Sequence, residues 1–176
     1  MVLTFDSRFV TMSLSEYIEI TKQFRGIWLM KLTDQNLIGL FQQLGLKAKQ
    51  CEIDGSYEEW HEFYESCYTV WYKDKITGKQ TRWESPTAQN YSLRELAEKM
   101  ECIHENDFIR KGEFEQHNII TAYDQERDLR LLVDGIHRAS ILTMETVRHS
   151  KPPFAQIYEL RGSRIDQVFV CDFLHF

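Results

Sequence analysis

The chain has little of what breaks a protein into pieces. Its 176 residues include 3 prolines and 8 glycines, and no stretch reads as a flexible linker or a low-complexity tail. The 4 cysteines, Cys51, Cys67, Cys102 and Cys171, stand far apart, with no C-x-x-C pair and no zinc-like spacing. The spacing gives no sign of a cysteine zinc site, and a reduced protein is the simplest reading. Each cysteine is expected as a small core hydrophobe in a reduced, cytoplasmic protein. No apolar run approaches the length of a membrane span. The first residues, MVLTFDSRFV, lack the basic start and apolar centre of a signal peptide, so none is expected. Positive charge is also short: 21 Lys and Arg against 27 Asp and Glu give a net charge of −6. A non-specific phosphate-backbone binder needs a basic face, so nucleic acid is disfavoured as a partner.

What is present fits one domain over residues 1–176, since 43% hydrophobic residues can build a core at this length. Residues 9–13 suit a first strand. Ser13 followed by Glu16 is a capping box, and Leu14, Tyr17, Ile18 and Thr21 share a helical face, so a helix is expected over about 14–25. Thr33 opens a second helix through Leu37, Leu40, Phe41 and Leu44, stopped by Gly45. SYEEWHEFYES, 56–66, reads as an aromatic-rich helix, and Ser92 with Glu95 starts another. HNIITAYD and LRLLV are strands joined by the polar turn DQERD. A helix is expected over 138–148, then a strand FAQIYEL after Pro152 and Pro153, then a last strand DQVFVCDFLHF.

The corner LRLLVDGIHRAS, 129–140, draws attention because a buried-looking strand stops at Asp-Gly and a helix follows at once. Gly135 lets the backbone turn sharply or approach a ligand. A helix beginning there points N–H groups and the positive end of its dipole at the corner. Arg138 can offer phosphate a bidentate fork, and His137 can donate to a phosphoryl oxygen or move a proton near neutral pH. Asp134 can orient a hydroxyl, accept its proton or hold a metal. Each residue alone has a plain structural reading: a common turn, a solvated arginine, a packed histidine. Together they form a phosphate-site design, with Gly135, Ile136, Arg138 and Ala139 holding phosphate and Asp134 and His137 acting on it.

LLVDGIHRAS resembles the signature of the ParB/sulfiredoxin-like superfamily, in the D-G-H-H-R form of its free-serine-kinase-like branch, at Asp134, Gly135, His137 and Arg138. SLRELAEKM is similar to that family's early helix, FEQHNIITAYD to its strand entry, and KPPFAQIYEL to its strand after the motif helix. The likeness covers roughly 90–160, and 26–86 stands as an insertion. It implies an α+β fold with a small mixed sheet. It also implies a nucleotide, ATP or ADP with Mg²⁺, and phosphoryl transfer to a small hydroxylated acceptor. A catalytic acid outside the motif is expected in such kinases; Glu16 is the candidate by position, with its capping role as the alternative. The chain departs from the family where Ile136 replaces the sulfiredoxin cysteine, so sulfinic acid repair is not expected. No helix-turn-helix follows, His117 replaces a usual proline, and the motif lacks its first His. The alternatives are a non-catalytic nucleotide- or partner-binding module and, less favoured, a ParB-type switch on DNA.

WYKDKITGKQTRWESP resembles the end of a WW domain, but the gap from Thr77 to Trp83 is one residue too long and the usual opening is missing. An aromatic hairpin pairing 67–74 with 79–83 is the expectation, with no affinity for proline-rich peptides. The aromatic density over 57–83 marks a candidate protein-partner surface.

Overall fold

Three helix starts are written locally and form as written. In the computed structural model, which describes residues 5–22, 33–69, 117–126, 128–148, 151–163 and 165, Ser13, Thr33 and Ser56 each accept a backbone N–H three residues on. They open α1 (Leu14–Lys22), α2 (Asp34–Gln43) and α3 (Tyr57–Ser66). A side-chain oxygen at this position satisfies a donor that the first helical turn leaves over. Helix α2 ends on Gly45 at φ 70°, with the Gly45 N–H donating to Gln42 and the Leu46 N–H to Phe41. This Schellman stop needs a residue that tolerates the left-handed region.

Among the described residues six strands make one mixed sheet: β1 (Val10–Met12), β2 (Lys47–Asp54), β3 (Cys67–Thr69), β4 (His117–Asp124), β5 (Leu129–Asp134) and β6 (Phe154–Gly162). Their spatial order is β1-β2-β6-β4-β5-β3. The pairs β4/β6 and β3/β5 run parallel, and the other three run antiparallel. The expected β4–β5 hairpin is present, with Tyr123 opposite Arg130 and Thr121 opposite Leu132. The helix after β5, α4, spans Ile136–Val147. It starts two residues before the expected Arg138, because Gly135 itself caps it.

The sheet is covered on both faces. On one, α1 and α2 pack Tyr17, Ile18, Leu37 and Phe41 against Ala48, Ile120, Ala122 and Leu160. On the other, α3 and α4 pack Trp60, Phe63, Ala139 and Leu142 against Cys51, Ile53, Ile119 and Ile157. Trp60 is fixed within this second core by an indole N–H donated to Thr143 on α4, at 3.2 Å. The buried indole donor is satisfied, as burial of a polar group requires.

The segment 26–86, read as an insertion, is built into the sheet where it is described. Its strand β2 lies between β1 and β6, and β3 forms the opposite edge. Trp60, Phe63 and Tyr64 are buried, so this part of the aromatic density fills the core and does not offer a partner surface. Cys67–Thr69 is a strand as expected, but its described partner is β5, in parallel. The hairpin partner at 79–83, the WW-like stretch, the helix from Ser92 and the last strand lie outside the described residues. Cys51 and Cys67 are buried in the core, and burial raises the Cys51 thiol to about 11. No helix among the described residues is long and apolar enough to cross a membrane.

Candidate functional site

The corner is shaped by a register shift and a glycine. Between Ile120 and Thr121 the β4–β5 pairing slips, so that Leu132 faces Thr121 but Asp134 faces Ile120. Val133 is the extra residue. A bulge of this kind bends a strand and re-aims its last side chains. Gly135 follows at φ 87°, ψ 26° and caps α4 without a side-chain hydrogen bond. Its lack of a side chain is required twice over. The left-handed region strains other residues, and a Cβ here would stand 3.0 Å from the Asn118 carbonyl oxygen and 3.2 Å from Arg138 Nη2.

Asp134 is bound to this turn. Its Oδ1 accepts the Gly135 N–H at 2.7 Å. Its Oδ2 is buried with no hydrogen-bond partner among the described residues. Burial raises the Asp134 pKa, opposed by the Gly135 N–H and by the Arg138 charge. Arg138, one helical turn on, folds back over Gly135 and places Nη2 4.0 Å from Asp134 Oδ1. That separation exceeds a hydrogen bond but keeps the charges coupled. The Arg138 side chain as a whole is 20% exposed.

The sequence-predicted residues divide as follows. Asp134, Gly135 and Arg138 meet at the corner. Ile136 and His137 form the first turn of α4, and their side chains lie outside what the structure describes. Ala139 is buried and donates its N–H to the Gly135 carbonyl at 2.8 Å. That amide closes the first helical bond, so Ala139 is corrected from a phosphate donor to a core residue. Glu16 is exposed at the start of α1, where its N–H meets Ser13 Oγ at 3.1 Å. Helices α1 and α4 pack on opposite faces of the sheet. The bond that caps α1 uses the backbone N–H of Glu16 and the Ser13 hydroxyl oxygen, and α1 does not share a sheet face with α4. Among the described residues no three His, Cys, Asp or Glu side chains gather into a metal cage.

Sequence reasoning missed a second polar group of residues. Arg130 on β5 and Glu159 and Arg161 on β6 share one sheet face and join through Glu159. Its Oε2 accepts from Arg130 Nε and Thr121 Oγ1, both at 2.7 Å, and its Oε1 from Arg161 Nε at 2.6 Å. The available signal was the Glu-Leu-Arg spacing in FAQIYELRG, which puts Glu159 and Arg161 on the same side of a strand. Comparison with family models, with curated proteins and with solved structures finds no match for this chain.

Proposed function

We propose that the Asp134–Arg138 corner binds nucleotide phosphate and supports phosphoryl transfer to a small hydroxylated acceptor, in a domain of ParB/sulfiredoxin-like type. The observation that carries this reading is the opened pair: a carboxylate with a buried oxygen that has no partner among the described residues and a guanidinium folded to face it across a left-handed glycine. Such a pair offers a donor fork to an anion and a carboxylate acceptor to a hydroxyl.

The N–H groups opening α4 and the Arg138 fork hold phosphate oxygens, where the helix dipole adds to the attraction. Asp134 accepts the proton of the acceptor hydroxyl as the acceptor oxygen bonds to phosphorus and the bond to the nucleotide's leaving oxygen breaks. Burial makes Asp134 a stronger base than an exposed carboxylate, which favours that role. His137 donates to the transferred group. Asp134 is also the residue that would hold Mg²⁺, an ion commonly bound through one or two carboxylates and the substrate's phosphates. When bound, Mg²⁺ supplies neutralisation of phosphate charge.

A nucleotide panel tested by thermal shift, with and without Mg²⁺, examines this reading. A ligand that binds only the folded chain stabilises it by about 2.7 kcal/mol at a hundred times its Kd. At least one nucleotide is expected to raise Tm and to be turned over. A panel with no shift would contradict the proposal. Binding without turnover would favour the non-catalytic module, in which Asp134 serves the turn through Gly135 alone.

A further inference from the structure

About 13 Å along β5 from Asp134, by the rise of a strand, Arg130 and Arg161 stand side by side at the other end of the sheet. Their side chains are only 4% and 11% exposed. Both guanidinium groups are walled by aromatic rings. Arg161 Cζ lies 4.6 Å from the Phe9 centroid and 5.2 Å from that of Tyr123, and Arg130 Cζ lies 5.0 and 5.4 Å from the same rings. Glu159 binds the Nε of each, from beneath. From outside, Asp6 reaches the Nη2 of Arg130 with one oxygen, and that oxygen is 3.6 Å from Arg161 Nη2.

We propose that Arg130 and Arg161 form a binding site for a small oxyanion, a carboxylate or a phosphate group, which Asp6 fills as an exchangeable internal stand-in. Three observations lead there. First, the donors outnumber their acceptors. A guanidinium carries five N–H bonds, yet Arg161 Nη2 is buried with no hydrogen-bond partner among the described residues. A phosphate or a carboxylate presents more oxygen sites than the single Asp6 Oδ1. Second, Asp6 is held loosely compared with Glu159. Its side chain is 46% exposed and belongs to a four-residue 3-10 turn, Phe5–Arg8, outside the sheet, whereas Glu159 is fully buried. Third, the local charge favours an anion in a chain that is acidic as a whole. Lys47 stands opposite Arg161 and Lys49 opposite Glu159 in the antiparallel register, which puts them on the same face. These four cations outnumber the nearby carboxylates of Glu159, Asp6 and Asp128, the last of which accepts from the Tyr123 hydroxyl, and displacing Asp6 leaves two.

The test uses the full chain carrying Arg138→Ala, so that the corner proposed above does not contribute. The arginine Nε–H signals of Arg130 and Arg161 are followed by NMR during titration with inorganic phosphate and, separately, with acetate, at constant ionic strength. Adding Asp6→Asn should give saturable shifts with an affinity about tenfold tighter than when Asp6 is present, since the internal competitor is gone. Arg161→Lys on top should weaken binding about tenfold, because the charge toward Glu159 stays while the fork is lost. The tighter of the two anions identifies the head group as carboxylate or phosphate. A folded Asp6→Asn protein without a saturable shift for either anion would overturn the proposal, as would a shift unaltered by Arg161→Lys. Asp6→Ser is the second variant. If both Asp6 variants unfold, Asp6 is a structural residue that no ligand can replace, and the proposal fails.

Discussion

Arg138 Nη2 and Asp134 Oδ1 stand 4.0 Å apart, one helical turn from each other, with Gly135 between them. The two charges are neither joined by a hydrogen bond nor separated by solvent distance. Local backbone geometry keeps them so. The bulge at Val133 aims Asp134, the Gly135 N–H ties its Oδ1, and the first turn of α4 returns Arg138 over the glycine.

Gly135→Ala should therefore damage both fold and site. The left-handed φ and a Cβ only 3.0 Å from the Asn118 carbonyl oxygen predict a loss of about 1–3 kcal/mol. The Arg138 guanidinium, 3.2 Å from that Cβ, would also have to move. Urea unfolding measures the first effect and phosphate affinity the second.

Asp134→Asn should separate stability from chemistry. Burial raises the folded-state pKa of Asp134 above its ordinary 3.8. Between those two values the folded chain holds the proton more often than the unfolded chain. Stability is thus lost as pH rises through that window, and the charged carboxylate is a cost at neutral pH. The Asn variant should melt higher than the parent at pH 7, and the difference should disappear below about pH 3.8. It keeps an oxygen for the Gly135 N–H and should bind ligand, but an amide cannot take the acceptor's proton and turnover should vanish. Melting curves over pH, paired with a turnover assay, check both parts.

Glu159→Gln should be among the most damaging conservative changes in the chain. The carboxylate is fully buried and accepts from Arg130, Arg161 and Thr121. Removing its charge leaves two buried guanidinium groups whose remaining ion-pair partner among the described residues is the half-exposed Asp6. Breaking a buried pair from one side costs about 3–5 kcal/mol. Chemical denaturation should show a loss of that order, whereas Glu16→Gln, at an exposed helix start, should change little.

Legibility in the sequence followed the range of the interaction. Ser13, Thr33 and Ser56 act on N–H groups three residues away, and all three helix starts were readable. LRLLVD announced itself because it is apolar on both faces, as a strand deep in a covered sheet must be. The strand KAKQCEID was passed over. Ala48 faces one core and Cys51 and Ile53 the other, so its few apolar residues make neither a run nor an alternation. Pairing with β1 and β6 decides that it is a strand. Arg130 looked like an ordinary polar residue, since the glutamate that permits its burial lies 29 positions away. At the corner, Gly135 and the turn were legible. The return of Arg138 over the glycine and the use of the Ala139 amide inside the helix depend on where α4 begins.

The most direct test of the corner is ligand affinity in Arg138→Ala, measured beside its melting temperature. If the guanidinium holds phosphate, the loss of a charge-assisted fork of about 1.5–3 kcal/mol should weaken phosphate or nucleotide binding about tenfold to a hundredfold, with the fold retained. Arg138→Lys should restore only part of it. Unchanged affinity in a well-folded Arg138→Ala protein would contradict the phosphate site.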